Sequence, residues 1–207
     1  MGLITMNPVH NVTGVVLAGG RSCRMGTNKA LLDIAGRSMI DRVVQEMARL
    51  YNNILLVAGK TEDYAYLGLP LIDDIYPGCG PLGGIHAGLK TSRTPYIFVA
   101  GCDMPFVRAE LMACLLPHAR DHDVVIPRDG DYLEPLFAVY GKGCLQSMEQ
   151  MLKDKRCKIT GFYDQVRVKY IDRNDLERCA GSDKCFINVN TPDELAAARR
   201  VAEDGEI

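Results

Sequence analysis

The sequence predicts an α/β protein with a doubly wound, mostly parallel, Rossmann-like sheet, carried by a single domain over residues 1–207. Three observations predict it. Short, nearly continuous apolar runs at Thr13–Ala18, Ile54–Ala58 and Tyr96–Ala100 read as strands covered by helices on both faces. Segments of helical spacing alternate with them, as in Met39–Leu50, where Ile40, Val43, Val44, Met47 and Leu50 recur. Glycine-rich stretches follow strand ends, where ligands gather in open α/β sheets.

The first strand, Thr13–Ala18, runs into Gly19-Gly20, and Arg21, Arg24 and Lys29 are then spread around Gly26. Glycines let the backbone approach a ligand closely, and successive N–H groups facing one way bind anions. A cation 4 Å from a phosphate oxygen contributes on the order of 4 kcal/mol at an effective dielectric near 20, so the stretch reads as a phosphate loop. The alternative is a glycine-rich turn with solvated basic residues. There is no Gly-Lys-Ser/Thr ending and no G-x-G-x-x-G, which excludes the P-loop and the dinucleotide fingerprint.

Beyond Lys29 a turn at Gly36 leads to Ser38, an N-cap candidate for the helix Met39–Leu50. Ile54–Ala58 is the second strand, a polar segment with Tyr64, Tyr66 and Leu67 carries a short helix, and Leu69–Ile72 is the third strand. Pro77-Gly78-Cys79-Gly80-Pro81-Leu82-Gly83-Gly84 then opens a helix over Ile85–Lys90 whose positive end faces the site, unless it is only a linker. Asp73-Asp74 just before it is either strand-end solvation or a ligand contact.

Tyr96–Ala100 reads as the central strand and Gly101-Cys102-Asp103-Met104-Pro105 as its edge. Asp103 is placed there to hold Mg²⁺ against a triphosphate or, alternatively, to cap a helix over Arg108–Leu116. Strands are expected at His122–Pro127 and Tyr132–Tyr140, and a helix from Lys142 to Lys153. The charged stretch 154–185 offers Arg156, Lys158, Arg167 and Lys169 either to a phosphorylated ligand or to solvent. In Phe186-Ile187-Asn188-Val189-Asn190, alternation puts Phe186, Asn188 and Asn190 on one face of a strand. Thr191 caps the last helix, with Pro192 at its first position.

A formal charge of −2 and a pI near 6.1 give no broad basic field, so no nucleic-acid partner is expected. No apolar run approaches a membrane helix and Met1–Val12 lacks the pattern of a signal peptide, so no membrane is involved and a cytoplasmic location is expected. The eight cysteines show no C-x-x-C, which argues against a zinc site or a disulfide framework. They read mostly as reduced, buried side chains, with Cys179–Cys185 the one pair considered for a hairpin disulfide.

The stretch Leu17-Ala18-Gly19-Gly20-Arg21-Ser22-x-Arg24-Met25-Gly26 followed by Lys29 resembles the signature loop of nucleotidyltransferases that join an NTP to a phosphorylated acceptor. It is most similar to that of the molybdenum cofactor guanylyltransferases. Gly80-Pro81-Leu82-Gly83-Gly84, Cys102-Asp103-Met104-Pro105 and Phe186-x-Asn188-x-Asn190-Thr191-Pro192 follow in the order of that family, so the likeness runs from about residue 13 to 200.

The resemblance implies a nucleotide-diphospho-sugar-transferase-like fold and transfer of GMP from GTP to the terminal phosphate of molybdenum-bound molybdopterin, releasing pyrophosphate. It implies Lys29, Asp103 and Arg24 as catalytic, Asp103 as the Mg²⁺ ligand, and Leu17, Ala18, Gly19, Gly20, Arg21, Lys29, Asp74, Pro81, Leu82 and Gly83 as nucleotide contacts. Asn188 and Asn190 would touch the pterin or support the metal. The N-terminal half would bind GTP and Mg²⁺ and the C-terminal half the acceptor, in a monomer or weak homo-oligomer. One position departs: Val57 stands where the family often has Asn, which leaves guanine to backbone groups of Leu17, Ala18 and Gly83. Three other readings differ in class or substrate: a transferase using CTP or a sugar or alcohol phosphate, a non-catalytic carrier, and a regulatory GTP-binding module.

Overall fold

The computed structural model describes residues 10–19, 28–59, 62–180 and 184–203. Its ten strands are β1 (Val12–Leu17), β2 (Asp33–Ile34), β3 (Arg37–Ser38), β4 (Ile54–Val57), β5 (Leu71–Ile72), β6 (Tyr96–Gly101), β7 (Val124–Asp129), β8 (Tyr132–Leu133), β9 (Phe137–Gly141) and β10 (Val168–Asp172). Its α-helices are α1 (Met39–Ala48), α2 (Pro81–Thr91), α3 (Ala109–Leu115), α4 (Leu145–Lys153), α5 (Arg173–Ala180) and α6 (Pro192–Glu203).

Eight strands form one sheet in the order β10-β7-β9-β6-β1-β4-β5, with β8 paired to β7. β1 is parallel to β4 and β6, β4 to β5, and β7 to β10; β9 runs against both β6 and β7. The reversed β9 therefore sits inside a mostly parallel sheet, in which the short β8 also runs against β7, and the C-terminal ends of β1, β4, β5 and β6 all open on one edge.

Alternation in β1 explains the two-sided core. Val12 and Val16 face one cluster with Ile40, Val43 and Met47 of α1 and Leu111 and Leu115 of α3. Val15 and Leu17 face the other, with Leu82, Ile85 and Leu89 of α2 and Met148 and Met151 of α4. Each such side chain contributes roughly 1.5–3 kcal/mol by leaving water, which makes this expected arrangement stable. Helix α2 is buried from Leu82 to Leu89. It lies so close to β1 that a Cβ on Gly88 would come 2.8 Å from Val15 Cγ1, and one on Gly84 3.1 Å from Leu17 Cδ2.

Local signals hold where a side chain makes the cap. Ser38 accepts from the Asp41 N–H at the start of α1, and Thr191 Oγ1 accepts from the Glu194 N–H while Glu194 accepts from the Thr191 N–H, a reciprocal box. Ala35 and Gly36, at φ 50° and 81°, turn β2 into β3.

Five expectations are corrected. Helix α2 begins at Pro81, with Gly80 as its N-cap, so Gly83 and Gly84 lie inside a helix that was expected to start at Ile85. The run Tyr132–Tyr140 is two strands, β8 and β9, because Pro135, which has no N–H, interrupts the ladder between them. Phe186–Asn190 is not a strand: Lys184–Phe186 is a 3-10 turn, and Val189 N–H bonds the Asp103 carbonyl at 2.9 Å without a ladder continuing. The uneven stretch 154–185 holds β10 and α5. Finally, Cys79 is bonded to Cys157 and Cys114 to Cys179, so four cysteines are disulfide-bonded rather than reduced, and Cys179 does not pair with Cys185. These partners are 78 and 65 residues apart, a separation that leaves no spacing signal.

Candidate active site

The C-terminal ends of β1, β4 and β6 and the start of α2 surround a cleft of about 540 Å³. Leu17, Gly19, Val57, Asp74, Pro81 and Asp103 line it, with Gly78, Gly80 and Leu136. Gly78 and Gly80, at φ 89° and 56°, make the tight approach to α2, a conformation that other residues rarely adopt. Pro81 then occupies the first helical position, where a missing N–H costs nothing, and the positive helix end meets the cleft.

Asp103 stands two residues beyond β6. Its side chain is 24 % exposed and Oδ2 lies 3.4 Å from Lys29 Nζ. A Cβ on Gly101 would come 2.5 Å from Asp103 Oδ1, so the bare glycine lets the carboxylate fold back over the strand end. The helix-cap alternative is excluded, because α3 starts at Ala109 with Arg108 as its N-cap.

Lys29 opens the 3-10 turn Lys29–Leu31. Only 14 % of its side chain is exposed, and Nζ also donates to Asn190 Oδ1 at 2.7 Å. Three residues separated by 74 and 161 positions thus converge: the end of the glycine loop, the end of the central strand and the segment before α6. Asn188 is not in that contact; its amide donates to the Phe186 carbonyl at 3.4 Å. Gly20, Arg21 and Arg24 lie outside the described residues.

The nucleotide contacts that the resemblance implies divide. Asp74 lines the cleft and accepts from the Tyr76 N–H at 2.8 Å. Leu82 is fully buried in the core beneath α2. The backbone groups implied for guanine already have protein partners: Ala18 N–H bonds Val57 O, Leu17 O accepts from Cys102 N–H, and Gly83 N–H bonds Gly80 O.

Two neighbours of Asp103 carry shifted acidities. Burial pushes the Cys102 thiol up to about 12, so at neutral pH it is an inert thiol rather than a nucleophile. Burial also raises Glu134, against the opposing pull of Arg173. Glu134 was not singled out in the sequence; the Pro135 beside it, which breaks the strand near the central-strand edge, is the signal that would have found it.

Gly83 makes a testable contact. A Cβ there would lie 2.6 Å and 2.7 Å from the two Asp74 oxygens, while alanine would itself favour the helix by up to about 1 kcal/mol. Gly83→Ala should therefore leave the melting temperature unchanged or slightly raised. On the nucleotide role that the resemblance implies for Asp74, the KM for that ligand should rise up to roughly tenfold, the worth of one charged hydrogen bond. Steady-state kinetics beside thermal unfolding checks both.

Known proteins resemble this chain along nearly its whole length. The MobA-like NTP transferase domain model matches residues 14–166. A probable molybdenum cofactor guanylyltransferase of Pelotomaculum thermopropionicum is 42% identical over 192 residues, covering 93% of this chain and 94% of that one. The molybdenum cofactor guanylyltransferase of Desulfosudis oleivorans is 36% identical over 198 residues, covering 95% and 98%. The crystal structure of molybdopterin-guanine dinucleotide biosynthesis protein A from Archaeoglobus fulgidus superposes with a TM-score of 0.81 at 27% identity, covering 93% and 99%. Lys29 and the strand-end Asp103 thus lie within an NTP transferase domain, with Asn190 beyond its matched residues, and the chain belongs to the molybdenum cofactor guanylyltransferase family.

Proposed function

We propose that the protein transfers GMP from GTP to the terminal phosphate of molybdenum-bound molybdopterin, forming the guanine dinucleotide cofactor and pyrophosphate. The observation that carries this reading is the meeting of Lys29 with Asn190 and with Asp103, which lines the cleft. An oxygen of the acceptor phosphate attacks the α-phosphorus, a new P–O bond forms, the bond to the β-phosphate oxygen breaks, and pyrophosphate leaves with the electron pair. The attacking phosphate is already anionic and needs no side-chain base. What the protein contributes is alignment and charge neutralisation.

Asp103 fits a divalent cation. Among the described residues no group of three or more His, Cys, Asp or Glu side chains is placed to hold a metal, but Mg²⁺ is commonly held by one or two carboxylates plus substrate phosphates. Bound at Asp103, Mg²⁺ would supply positive charge beside the α-phosphate. Lys29, beside Asp103, neutralises triphosphate charge, with Arg21 and Arg24 of the glycine loop assigned the same work. Asp74 and the Gly78–Pro81 wall hold the nucleoside. Asn190 aims Lys29 by accepting its hydrogen bond, and the C-terminal half provides the acceptor side. Among the described residues no helix is long and apolar enough to cross a membrane.

A panel of NTPs with the molybdenum-loaded acceptor, followed by pyrophosphate release, tests the reading. GTP should be the preferred donor, the nucleotide that the guanylyltransferase names of the relatives imply. Equal or faster release with CTP would overturn the guanylyl assignment, and nucleotide binding without release would point to a carrier.

A further inference from the structure

Both ends of the loop between β1 and Lys29 meet one buried phenol. Tyr64, 2 % exposed, belongs to the 3-10 turn Glu62–Leu67 and packs in the core on the α1 side. Its hydroxyl lies 3.4 Å from the carbonyl oxygen of Ala18, the first residue past β1, and 3.1 Å from Oδ1 of Asn28, the residue before Lys29. A phenol has a single proton to donate, so it is shared between the Ala18 carbonyl just past β1 and the Asn28 amide oxygen that caps the Lys29 turn. Burial pushes this phenol above its ordinary range, so the proton stays in place at physiological pH.

Asn28 is fixed from the other side as well. Oδ1 also accepts from the Ala30 N–H at 3.2 Å, which caps the turn that begins with Lys29. Nδ2 donates to Asp63 Oδ2 at 2.8 Å. With its oxygen accepting two protons and its nitrogen donating to the neighbour of Tyr64, the amide has one orientation. That orientation sets the direction in which Lys29 starts towards Asp103 and Asn190.

We propose that Tyr64, acting with Asp63 through Asn28, is a positioning residue of the transferase site: it ties Asn28 to the end of β1 and aims Lys29 without touching substrate. The inference rests on the assignment of Lys29 to the donor phosphates. Misplacing a group by about 1 Å can cost up to roughly a hundredfold in rate, and the loss of a single clamp bond that leaves its partners in place should cost less.

Tyr64→Phe keeps the ring and removes only the O–H. Its kcat should fall about tenfold, with the KM for GTP changed less than about threefold and the melting temperature lowered by no more than a few degrees. Asn28→Asp, which sets two carboxylates together, should lose as much, and the swapped pair Asn28→Asp with Asp63→Asn should recover most of it by restoring one donor and one acceptor. A kcat for Tyr64→Phe at the wild-type level, or a swapped pair no better than Asn28→Asp alone, overturns the proposal. Amide exchange at Ala30 should accelerate in Tyr64→Phe. If the wild type shows no GTP-dependent turnover, the donor assignment fails by itself and this exchange rate judges the clamp, unchanged exchange overturning it.

Discussion

Asp103→Asn is expected to lower metal-dependent pyrophosphate release by a factor of about 10²–10³ while leaving the fold intact. Asparagine keeps the volume and an oxygen that accepts from Lys29, but it loses the hard anionic oxygen that Mg²⁺ requires. Removing one pre-organised electrostatic partner from a transferring centre costs about 3–4 kcal/mol of transition-state stabilisation, the energy equivalent of that factor. Stability should barely move. The Lys29–Asp103 contact is partly exposed, at 14 % and 24 %, and 3.4 Å long, which places it among pairs worth at most about 1 kcal/mol. Nor does the side chain cap a helix, since α3 begins at Ala109 behind Arg108. Mg²⁺-dependent turnover and thermal unfolding on the same preparation decide the matter, and retained turnover would remove Asp103 from the metal site.

The strands that build the cleft were legible because burial on both faces demands an unbroken apolar run: β1, β4 and β6 appear at the expected places, each within a residue or two of the expected ends. β10 was not, because only Ile171 along it is buried, so its sequence reads as charged surface. Asp103 was legible from its position at a strand end. Its neighbour Lys29 was legible as a cation after a glycine loop, but the bond from Lys29 to Asn190 spans 161 residues and has no local signature. Alternation assigned Asn188 and Asn190 one shared face of a strand. A strand needs a ladder, however, and among the described residues the one backbone-to-backbone bond of Asn188–Asn190 runs from the Val189 N–H to the Asp103 carbonyl. The same limit hid the disulfides and Tyr64, whose spacing reads as a short helix and whose function lies in what its hydroxyl meets across the fold.

Lys29→Ala should be comparably damaging to turnover and should show a different signature. A single charge 4 Å from a phosphate oxygen is worth on the order of 4 kcal/mol at an effective dielectric near 20, so kcat/KM for GTP should fall about a hundredfold or more. Truncation also leaves Asn190 Oδ1 without its 2.7 Å donor and Asp103 without its cationic neighbour. Both groups are partly exposed, so water replaces the lost partner and stability should change by less than about 1 kcal/mol. Lys29→Ala, unlike Asp103→Asn, should keep its dependence on Mg²⁺, because the carboxylate remains. Added methylammonium should restore part of the rate, since a small cation can enter the space the side chain vacates and be held by the same two oxygens. Lys29→Arg should not match the wild type, as a planar guanidinium cannot sit as a point charge between a carboxylate and an amide oxygen. Rates measured against Mg²⁺ and alkylammonium concentration in the variant separate these outcomes. A kcat/KM for GTP unchanged in Lys29→Ala would take the side chain out of the reaction, despite its 14 % exposure and its place between Asp103 and Asn190.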